Sequence, residues 1–374
     1  MRVPEHIAVE RGIAEFRAGR PVVLVTDKPI VALPIDGLDS AQLQFFRKEW
    51  SGAPLRLVIT AHRARALGID VKEPVAQLLG EREEFGSILS MTVDPVLRRR
   101  VVGLPAGAGA AAGIDLAKLA ALLPALLIVD LKELPVSASF VEVEAAAVGA
   151  FRQFLGQSLR IAACANVPLE DGSAGRFVVF RDAIGGSPAA LVVGRPDFTK
   201  PVLVRLHSAC LTGDVFGSQR CDCGDQLRLA LGRLVETGGI ILYLQQEGRG
   251  LGLANKIRAY ELQDRGLDTV DANVTLGFAD DEREYQIAAR MLQLLGCHGV
   301  VLLTNSPVKL QGLSQAGVEI CGSMPLQAPI KAENRRYLMT KAVRAGHRLD
   351  HLWTTGLNPS PPRRVAAKGR KAAV

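Results

Sequence analysis

The chain has 374 residues, 48% of them hydrophobic, which is enough to bury the cores of two domains and excludes a disordered protein. Aromatic residues make up only 5%, so these cores must consist mainly of Leu, Val, Ile and Ala. The net charge of +7 includes five basic residues beyond Asp350, the last acidic one. Without them the charge is about +2, which disfavours a nucleic-acid-binding surface on the folded part.

The first residues contain no apolar stretch of the kind found in signal peptides, because charged residues interrupt them at Glu5, Glu10, Arg11, Glu15 and Arg17. The best membrane candidate, residues 119–129, is broken by Pro124 and is too short to span a bilayer. We therefore expect a cytoplasmic protein without membrane contact, whose six cysteines are reduced and available to a metal.

Residues 1–165 are predicted to form an α/β domain. Helical patterns there alternate with three apolar runs typical of buried strands, Pro21–Thr26, Leu55–Thr60 and Ala125–Leu131. The apolar periodicity of Ser139–Leu155 predicts a helix, and the Pro, Asp and Gly residues of Asn166–Gly175 predict a linker or turn region.

Residues 166–355 are predicted to form a second domain of mixed α/β class, with a mixed sheet and strands that end in functional loops. Its short apolar runs lie at 177–180, 190–193, 202–206, 240–244 and 300–303. The remaining residues, 356–374, are rich in Pro and basic residues and predict a disordered tail.

Three cysteines, Cys210, Cys221 and Cys223, lie within fourteen positions of the second domain. Thiolates are preferred zinc ligands, and a Cys-x-Cys pair needs a turn to present both sulfurs, which we attribute to Gly224. Three protein ligands leave a position for water, as in catalytic zinc sites. A closed structural site with His207 as the fourth ligand is the alternative.

A glycine-rich loop with Gly248, Gly250 and Gly252 follows the predicted strand 240–244 and opens into a helix. Backbone N–H groups in such a loop can approach phosphate, and Arg249 adds a bidentate donor. No Gly-Lys-Ser/Thr follows, so the loop is not a Walker A motif.

Two further segments are polar and adjoin predicted structural elements. Asp280 or Asp281 is expected to cap a helix with Arg283 in its first turn, where a cation is slightly unfavourable unless it meets an anionic substrate. Thr304–Lys309 follows a predicted strand, where α/β proteins place ligands.

These segments together resemble GTP cyclohydrolase II in order and spacing. The matching strings are Arg205–Phe216, Arg220–Gly224, Gln246–Leu253, Asn255–Tyr260, Asp268–Asn273, Asp281–Arg283, Leu303–Asn305 and the pattern from Asn334 to His347. The resemblance covers roughly residues 175–350.

The resemblance implies the first step of riboflavin biosynthesis, in which GTP is hydrolysed to 2,5-diamino-6-ribosylamino-4(3H)-pyrimidinone 5′-phosphate, formate and pyrophosphate. One Zn²⁺ per subunit on the three cysteines would activate the water that attacks C8, and Mg²⁺ would accompany the phosphates. Arg283 would attack the α-phosphate with Asp281 as proton acceptor, and Tyr260 would assist ring opening. Implied substrate contacts are Arg205, Leu206, His207, Ser208, Ala209, Gln226, Glu247, Gly248, Arg249, Thr269, Thr304 and Lys309. The family also implies a homodimer.

Four positions depart from the family pattern: Ala209 replaces a usual Glu, Gln245 an Arg, Val308 a Lys and Glu284 an Asp. They motivate an alternative, a paralogue in another pathway such as uracil catabolism. A third hypothesis is a zinc-stabilised binding protein that uses its basic tail on nucleic acid, and it requires four protein ligands on zinc.

The opening of the first domain, Ala14–Asp27, resembles 3,4-dihydroxy-2-butanone 4-phosphate synthase. That family continues with an acidic Mg²⁺-binding run, whereas here Lys28–Leu33 contains no carboxylate. The sequence therefore predicts a degenerate, inactive domain.

Overall fold

The computed structural model describes residues 4–97, 101–133, 140–170 and 173–354. Within these residues the chain is a mixed α/β protein with two seven-stranded sheets, which confirms the predicted fold class. It divides into two compact units, one of residues 4–149 and 257–280 and the other of residues 150–256 and 281–354. No helix of the described part is long and apolar enough to cross a membrane. The predicted tail, 356–374, lies outside the described residues.

The first unit is built on a sheet of strand order β5-β4-β3-β6-β2-β1-β7. Its strands are β1 Val22–Val25, β2 Ile30–Pro34, β3 Arg56–Ile59, β4 Val75–Leu78, β5 Leu104–Pro105, β6 Ala125–Asp130 and β7 Val141–Glu144. Its helices are α1 Glu5–Arg17, α2 Ser40–Glu49, α3 Ala61–Ala66, α4 Phe85–Val93 and α5 Ala108–Leu119. The three strands predicted from apolar runs are confirmed as β1, β3 and β6.

The second unit is built on a sheet of strand order β14-β13-β11-β12-β10-β9-β8. Its strands are β8 Arg160–Pro168, β9 Ala174–Arg181, β10 Ala189–Val193, β11 Val202–Ser208, β12 Gly239–Leu244, β13 Gly299–Leu303 and β14 Glu319–Met324. All five runs predicted as strands are confirmed. Strands β12, β11, β13 and β14 are parallel to one another, so their carboxyl ends share one edge of the sheet.

The helices that follow the first five are α6 Ala145–Ser158, α7 Leu211–Asp214, α8 Cys223–Thr237, α9 Leu253–Asp264, α10 Thr269–Thr275, α11 Gln286–Leu294, α12 Pro307–Gln315, α13 Arg335–Ala345 and α14 His351–Thr354. A 3-10 turn spans Glu247–Gly250. Helix α9 contains the boundary between the units, so its later residues and α10 belong to the first unit.

Two of three local expectations are wrong. The segment 139–155 is not one helix, because Val141–Glu144 pairs in parallel with β1 before α6 begins. The segment 166–175, expected to be a linker or turn region, lies largely in the β8–β9 hairpin, in which Pro168 pairs with Ala174, so the turn alternative holds. Helix α11 begins at Gln286, so Asp281 does not cap it and Arg283 is not in its first turn.

The domain boundary at 165/166 falls inside β8. The assignment of the two domains, including the inactive first one, stays a prediction. In its favour, the position of the expected acidic run is the buried apolar strand β2.

Candidate metal and phosphate site

Three cysteine thiols converge beyond the carboxyl end of β11. Cys210 follows that strand and precedes α7, while Cys221 and Cys223 lie at the start of α8. The three sulfur atoms lie within 4.8 Å of one another, and Sγ of Cys210 is 3.7 Å from Sγ of Cys221. Two thiolates on a tetrahedral zinc, with Zn–S bonds of about 2.3 Å, lie about 3.8 Å apart, so this spacing fits zinc.

Two glycines make room for the thiol cluster. A β-carbon at Gly213 would lie 3.0 Å from Sγ of Cys210 and 3.1 Å from Sγ of Cys221, and it would occupy the space beside both sulfurs. Gly224 does not supply the expected turn, because it lies in the first turn of α8, where a β-carbon would clash with the Gly213 carbonyl oxygen. The helix N-terminus itself presents Cys223, and its dipole favours a thiolate.

Ionisation of the thiols is unequal. Hydrogen bonds from Cys221 and Cys223, together with the Lys256 ammonium, hold the pKa of Cys210 well below its usual range. The hydrogen bond to Cys210 raises the pKa of Cys221 to about 11. Hydrogen bonds to Cys210 and Cys221, together with burial, raise the pKa of Cys223. Only with a cation between them can all three sulfurs at this spacing be thiolates, so the donor set fits a divalent metal.

His207 is not a member of the ligand group. Its Nε2 lies 3.0 Å from both carboxylate oxygens of Asp214, and its ring stacks on Tyr243. Asp214 also accepts hydrogen bonds from the Tyr243 hydroxyl, at 2.9 Å, and from the Cys210 backbone N–H, at 3.0 Å. The histidine therefore fixes the carboxylate that holds the first cysteine, and the alternative of a fourth ligand at this position is wrong.

The glycine-rich loop is joined to the thiol cluster through Glu247. One oxygen of Glu247 accepts from the Leu211 backbone N–H at 2.8 Å, and the other from the Lys256 ammonium at 2.6 Å. The same ammonium donates to Sγ of Cys210 at 3.0 Å. Both Gly248 and Arg249 have left-handed backbone conformations, with φ of 63° and 64°, and such successive turns orient backbone N–H groups to one side.

Arg283 and Asp281 form a bidentate ion pair, with Nε and Nη2 of the arginine 2.8 and 2.5 Å from the two carboxylate oxygens. Although burial opposes it, this pairing keeps the pKa of Asp281 below its usual range. The pair is anchored to the glycine-rich loop because the Glu282 backbone N–H donates to the Arg249 carbonyl at 3.0 Å.

Two buried cations in this unit have neutral hydrogen-bond partners. The Arg205 guanidinium donates to the Leu303 carbonyl at 2.9 Å and to the Gln226 side-chain oxygen at 2.5 Å. The Lys309 ammonium donates to the Leu206 carbonyl at 2.7 Å. Burial lowers the pKa of Arg205 to about 10 and that of Lys309 well below its usual value. The hydrogen-bond partners given for these two cations include no carboxylate, and buried cations held in this way are costly, so the arrangement favours an anionic ligand.

Comparison with known proteins agrees with this geometry. A family model described as GTP cyclohydrolase II matches residues 160–325. The GTP cyclohydrolase-2 of Xylella fastidiosa (strain 9a5c) is 37% identical over 373 residues, which cover 95% of this chain and 91% of that protein. The GTP cyclohydrolase-2 of Azospirillum brasilense is 38% identical over 360 residues, covering 91% and 93%.

The chain belongs to the GTP cyclohydrolase II family. It is therefore an enzyme of the hydrolase class.

Other relatives match more narrowly than these GTP cyclohydrolase II proteins. The riboflavin biosynthesis protein RibBA of Bacillus mycoides (strain KBAB4) is 55% identical over 162 residues, which cover 43% of this chain and 41% of that protein. The structure of RibBX, a two domain 3,4-dihydroxy-2-butanone 4-phosphate synthase from A. baumannii, is 17% identical over 84% of this chain and 99% of that one. Its TM-score of 0.31 is too low to indicate a common fold.

The remaining residues implied by the GTP cyclohydrolase II resemblance are distributed over both units. The Leu206 side chain is part of the hydrophobic core, and Thr304 accepts from the Ser306 backbone N–H. Ser208 and Ala209 are half-buried at the end of β11. Tyr260 lies on α9 and Thr269 on α10, both in the first unit. The roles of all these residues stay predictions.

Two residues that contact the candidate site were not predicted from the sequence. The contact of Lys256 with Cys210 was not assigned, although Lys256 lies in one of the matching strings. Nor was the contact of Lys341 with Asp222, the residue between two of the cysteines. A long-range side-chain pair of this kind has no local sequence signal.

Proposed function

We propose that this enzyme hydrolyses GTP to 2,5-diamino-6-ribosylamino-4(3H)-pyrimidinone 5′-phosphate, formate and pyrophosphate, as a step of riboflavin biosynthesis. One observation carries the proposal: hydrogen bonds connect the three-thiol cluster, through Lys256 and Glu247, to the loop that anchors Arg283 and Asp281. Ring opening needs the metal bound by the thiol cluster, and pyrophosphate release needs Arg283 and Asp281. Both groups must therefore reach the same substrate.

Cys210, Cys221 and Cys223 would hold Zn²⁺, which would supply Lewis acidity for the hydrolytic opening of the guanine ring at C8. The chain's own residues set up this chemistry. Lys256 offsets the negative charge of the Cys210 sulfur, and Asp214 holds the backbone of the same residue. Such supporting contacts fix ligand orientation and tune the metal.

Arg283 and Asp281 are assigned the phosphate chemistry. A guanidinium nitrogen of Arg283 bonds to the α-phosphorus, the bond to the bridging oxygen breaks, and pyrophosphate leaves with that electron pair. The nitrogen's proton passes to Asp281, whose oxygens already accept from the guanidinium. Water later cleaves the phosphorus–nitrogen bond and returns the nucleoside monophosphate.

The buried cations Arg205 and Lys309 are assigned to the triphosphate. A ligand with several negative charges supplies the counter-charge that their neutral partners lack, and Mg²⁺ would accompany its phosphates. Tyr260 is assigned to the ring-opening step, and Thr269 and Thr304 to substrate contacts. We also propose a cytoplasmic homodimer.

A paralogue with an altered product is the second candidate, and the absence of a carboxylate at Ala209 is the observation that favours it. Two other departures have local partners. Gln245 accepts from the Ser187 backbone N–H at 2.8 Å, and Glu284 pairs with Arg152 at 2.7 Å. These two contacts explain how the replacements are accommodated without disturbing Arg283.

The test is incubation of the zinc-loaded protein with GTP and Mg²⁺, with the pyrimidine product identified by mass and formate and pyrophosphate quantified. The Arg283→Ala variant should lose at least about 100-fold in the rate of both releases. Arg233→Ala, at a half-exposed position on α8, is the control and should match the wild type. Pyrophosphate and formate with a different pyrimidine would favour the paralogue, and the absence of both from wild type would overturn the proposal.

A further inference from the structure

The C-terminal helix α13 contacts the metal-binding turn directly. The Lys341 ammonium on this helix lies 2.7 Å from Oδ1 of Asp222, the residue between Cys221 and Cys223. Both side chains are buried, with 9% and 2% of their surface exposed. Helix α13 lies beyond residues 160–325, the part that the family model matches.

Asp222 also links Lys341 to Arg205, a proposed phosphate-binding residue. Its second oxygen, Oδ2, accepts from the Gln226 side-chain amide at 2.5 Å. The oxygen of that amide accepts from the Arg205 guanidinium at 2.5 Å. A continuous chain of hydrogen bonds therefore runs from Lys341 through the metal-binding turn to Arg205.

The ammonium is itself held in place by its own helix. It lies 4.5 Å from the centroid of the Tyr337 ring, one turn earlier on α13, in a cation–π contact. The N-terminus of α13 is fixed by Asn334, which is fully buried and bonds to the carbonyl of Pro329 and the N–H of Lys331. Lys341 thus approaches Asp222 from a rigid element.

We propose that Lys341 is a positioning residue that holds the Cys221–Asp222–Cys223 turn in its metal-binding conformation and, through Gln226, orients Arg205. The inference rests on the proposed function for the identity of the metal and of the anionic substrate. It assigns a role in the site to a helix beyond residues 160–325, which the family model matches.

The ion pair with Lys341 stabilises the Cys221–Asp222–Cys223 turn, because the Asp222 carboxylate is buried and water cannot replace the lost cation. A buried carboxylate that loses its cation rotates toward other donors, and this rotation moves the backbone that carries the two cysteines. Removal of supporting contacts of this kind typically lowers metal affinity by about 10–100-fold.

Lys331 provides a matched control. It lies in the same C-terminal segment and pairs with Asp225 on α8 at 2.6 Å, but this pair is more exposed and Arg228 also bonds to Asp225. Lys331→Met therefore removes an ion pair between the same two segments without touching the residue between the cysteines.

The experiment measures the zinc dissociation constant by chelator competition, and the absorption spectrum of the Co²⁺-substituted full-length protein. We expect Lys341→Met to raise the zinc dissociation constant about 10–100-fold and to shift the sulfur-to-cobalt charge-transfer band. Lys331→Met should stay within about threefold of wild type, and Lys341→Arg, which keeps the cation, should recover most of the affinity.

If Lys341→Met fails to fold, the double variant Asp222→Asn/Lys341→Met is used to test the proposal. It removes both charges of the pair and so leaves no unpaired buried charge. It should fold and still bind zinc more weakly than wild type. Wild-type affinity and a wild-type cobalt spectrum in a folded Lys341→Met or double variant would overturn this inference alone. A wild-type protein that binds neither zinc nor cobalt would overturn the proposed function as well.

Discussion

The ammonium group of Lys256 lies 3.0 Å from Sγ of Cys210 and 2.6 Å from Oε1 of Glu247. It therefore sits between an anionic sulfur of the thiol cluster and the first carboxylate of the glycine-rich loop. Both Lys256 and Glu247 are largely buried, with 9% and 14% of their side chains exposed, so water screens this arrangement only weakly.

Lys256→Met should lower kcat/KM for GTP by about 10–100-fold, because the Cys210 sulfur loses its charged donor and Glu247 is left unpaired. Steady-state kinetics on zinc-loaded protein, together with the Co²⁺ absorption spectrum, measure the effect. Lys200→Met is the control, because the Lys200 side chain is 77% exposed. It should leave kcat/KM and the Co²⁺ spectrum unchanged. Unchanged kinetics and spectrum in Lys256→Met would show that the ammonium does not support the site.

Gly213→Ala should weaken metal binding, because the added β-carbon would lie 3.0 and 3.1 Å from the sulfurs of Cys210 and Cys221. Gly232→Ala is the matched control: this glycine lies within α8 and a β-carbon there meets nothing within 4 Å. We expect the control to bind metal normally and to gain about 0.5–1 kcal/mol in free energy of unfolding. Equal zinc content after dialysis of both variants would contradict the tight fit at Gly213.

Arg63→Met should destabilise the first unit. The buried Arg63 guanidinium donates to four carbonyl oxygens, those of Ser90, Met91, Asp94 and Thr275. Leaving these carbonyls without a donor should cost about 3 kcal/mol, which urea unfolding would measure. Arg65→Met, on the exposed side of the same short helix, should change the free energy of unfolding by less than about 0.5 kcal/mol. Similar values for the two variants would refute this role of Arg63.

His347 should make stability pH-dependent. Burial lowers its pKa to about 2, and nearby cations act in the same direction: Lys341, Arg249, Arg283 and Lys309. A folded-state pKa below the unfolded value of about 6.5 means that stability is fully present above that pH. As pH falls, the unfolded chain binds the proton first, and this group removes about 1.4 kcal/mol per pH unit.

The measurement is urea unfolding of wild type and His347→Gln at pH 7, 6 and 5. The variant should lack most of the decline in free energy of unfolding that this histidine contributes. Parallel declines in the two proteins would mean that His347 does not titrate between the folded and unfolded states.

Local patterns predicted most of the sheets and the metal ligands. Apolar runs marked eight strands correctly, because buried strands need uninterrupted apolar residues wherever they occur. The edge strand β8 was missed because its residues are exposed, and the segment that contains its hairpin turn was predicted only as a linker or turn region. The first four residues of the segment 141–158 form β7 because they pair with β1, a contact that no local periodicity encodes.

The sequence predicted individual residues of the candidate site but not the contacts between them. Cysteine spacing indicated the metal group, but His207 was a plausible ligand from spacing alone, and its contact with Asp214 depends on the fold. Arg283 was expected in a helix, whereas Asp281 bonds to its backbone and side chain and keeps the segment out of α11. The pairs Lys256–Cys210 and Lys341–Asp222 join residues 46 and 119 positions apart, which a sequence pattern cannot specify.

Formate release from GTP labelled at C8 tests the central claim most directly, with zinc-loaded wild type and the Cys221→Ser variant assayed side by side. We expect one labelled formate per GTP consumed by the wild type and a loss of at least about 100-fold in the variant, because one of three metal ligands is replaced. Labelled formate produced equally by both proteins, or GTP consumed by the wild type without formate, would contradict the claim.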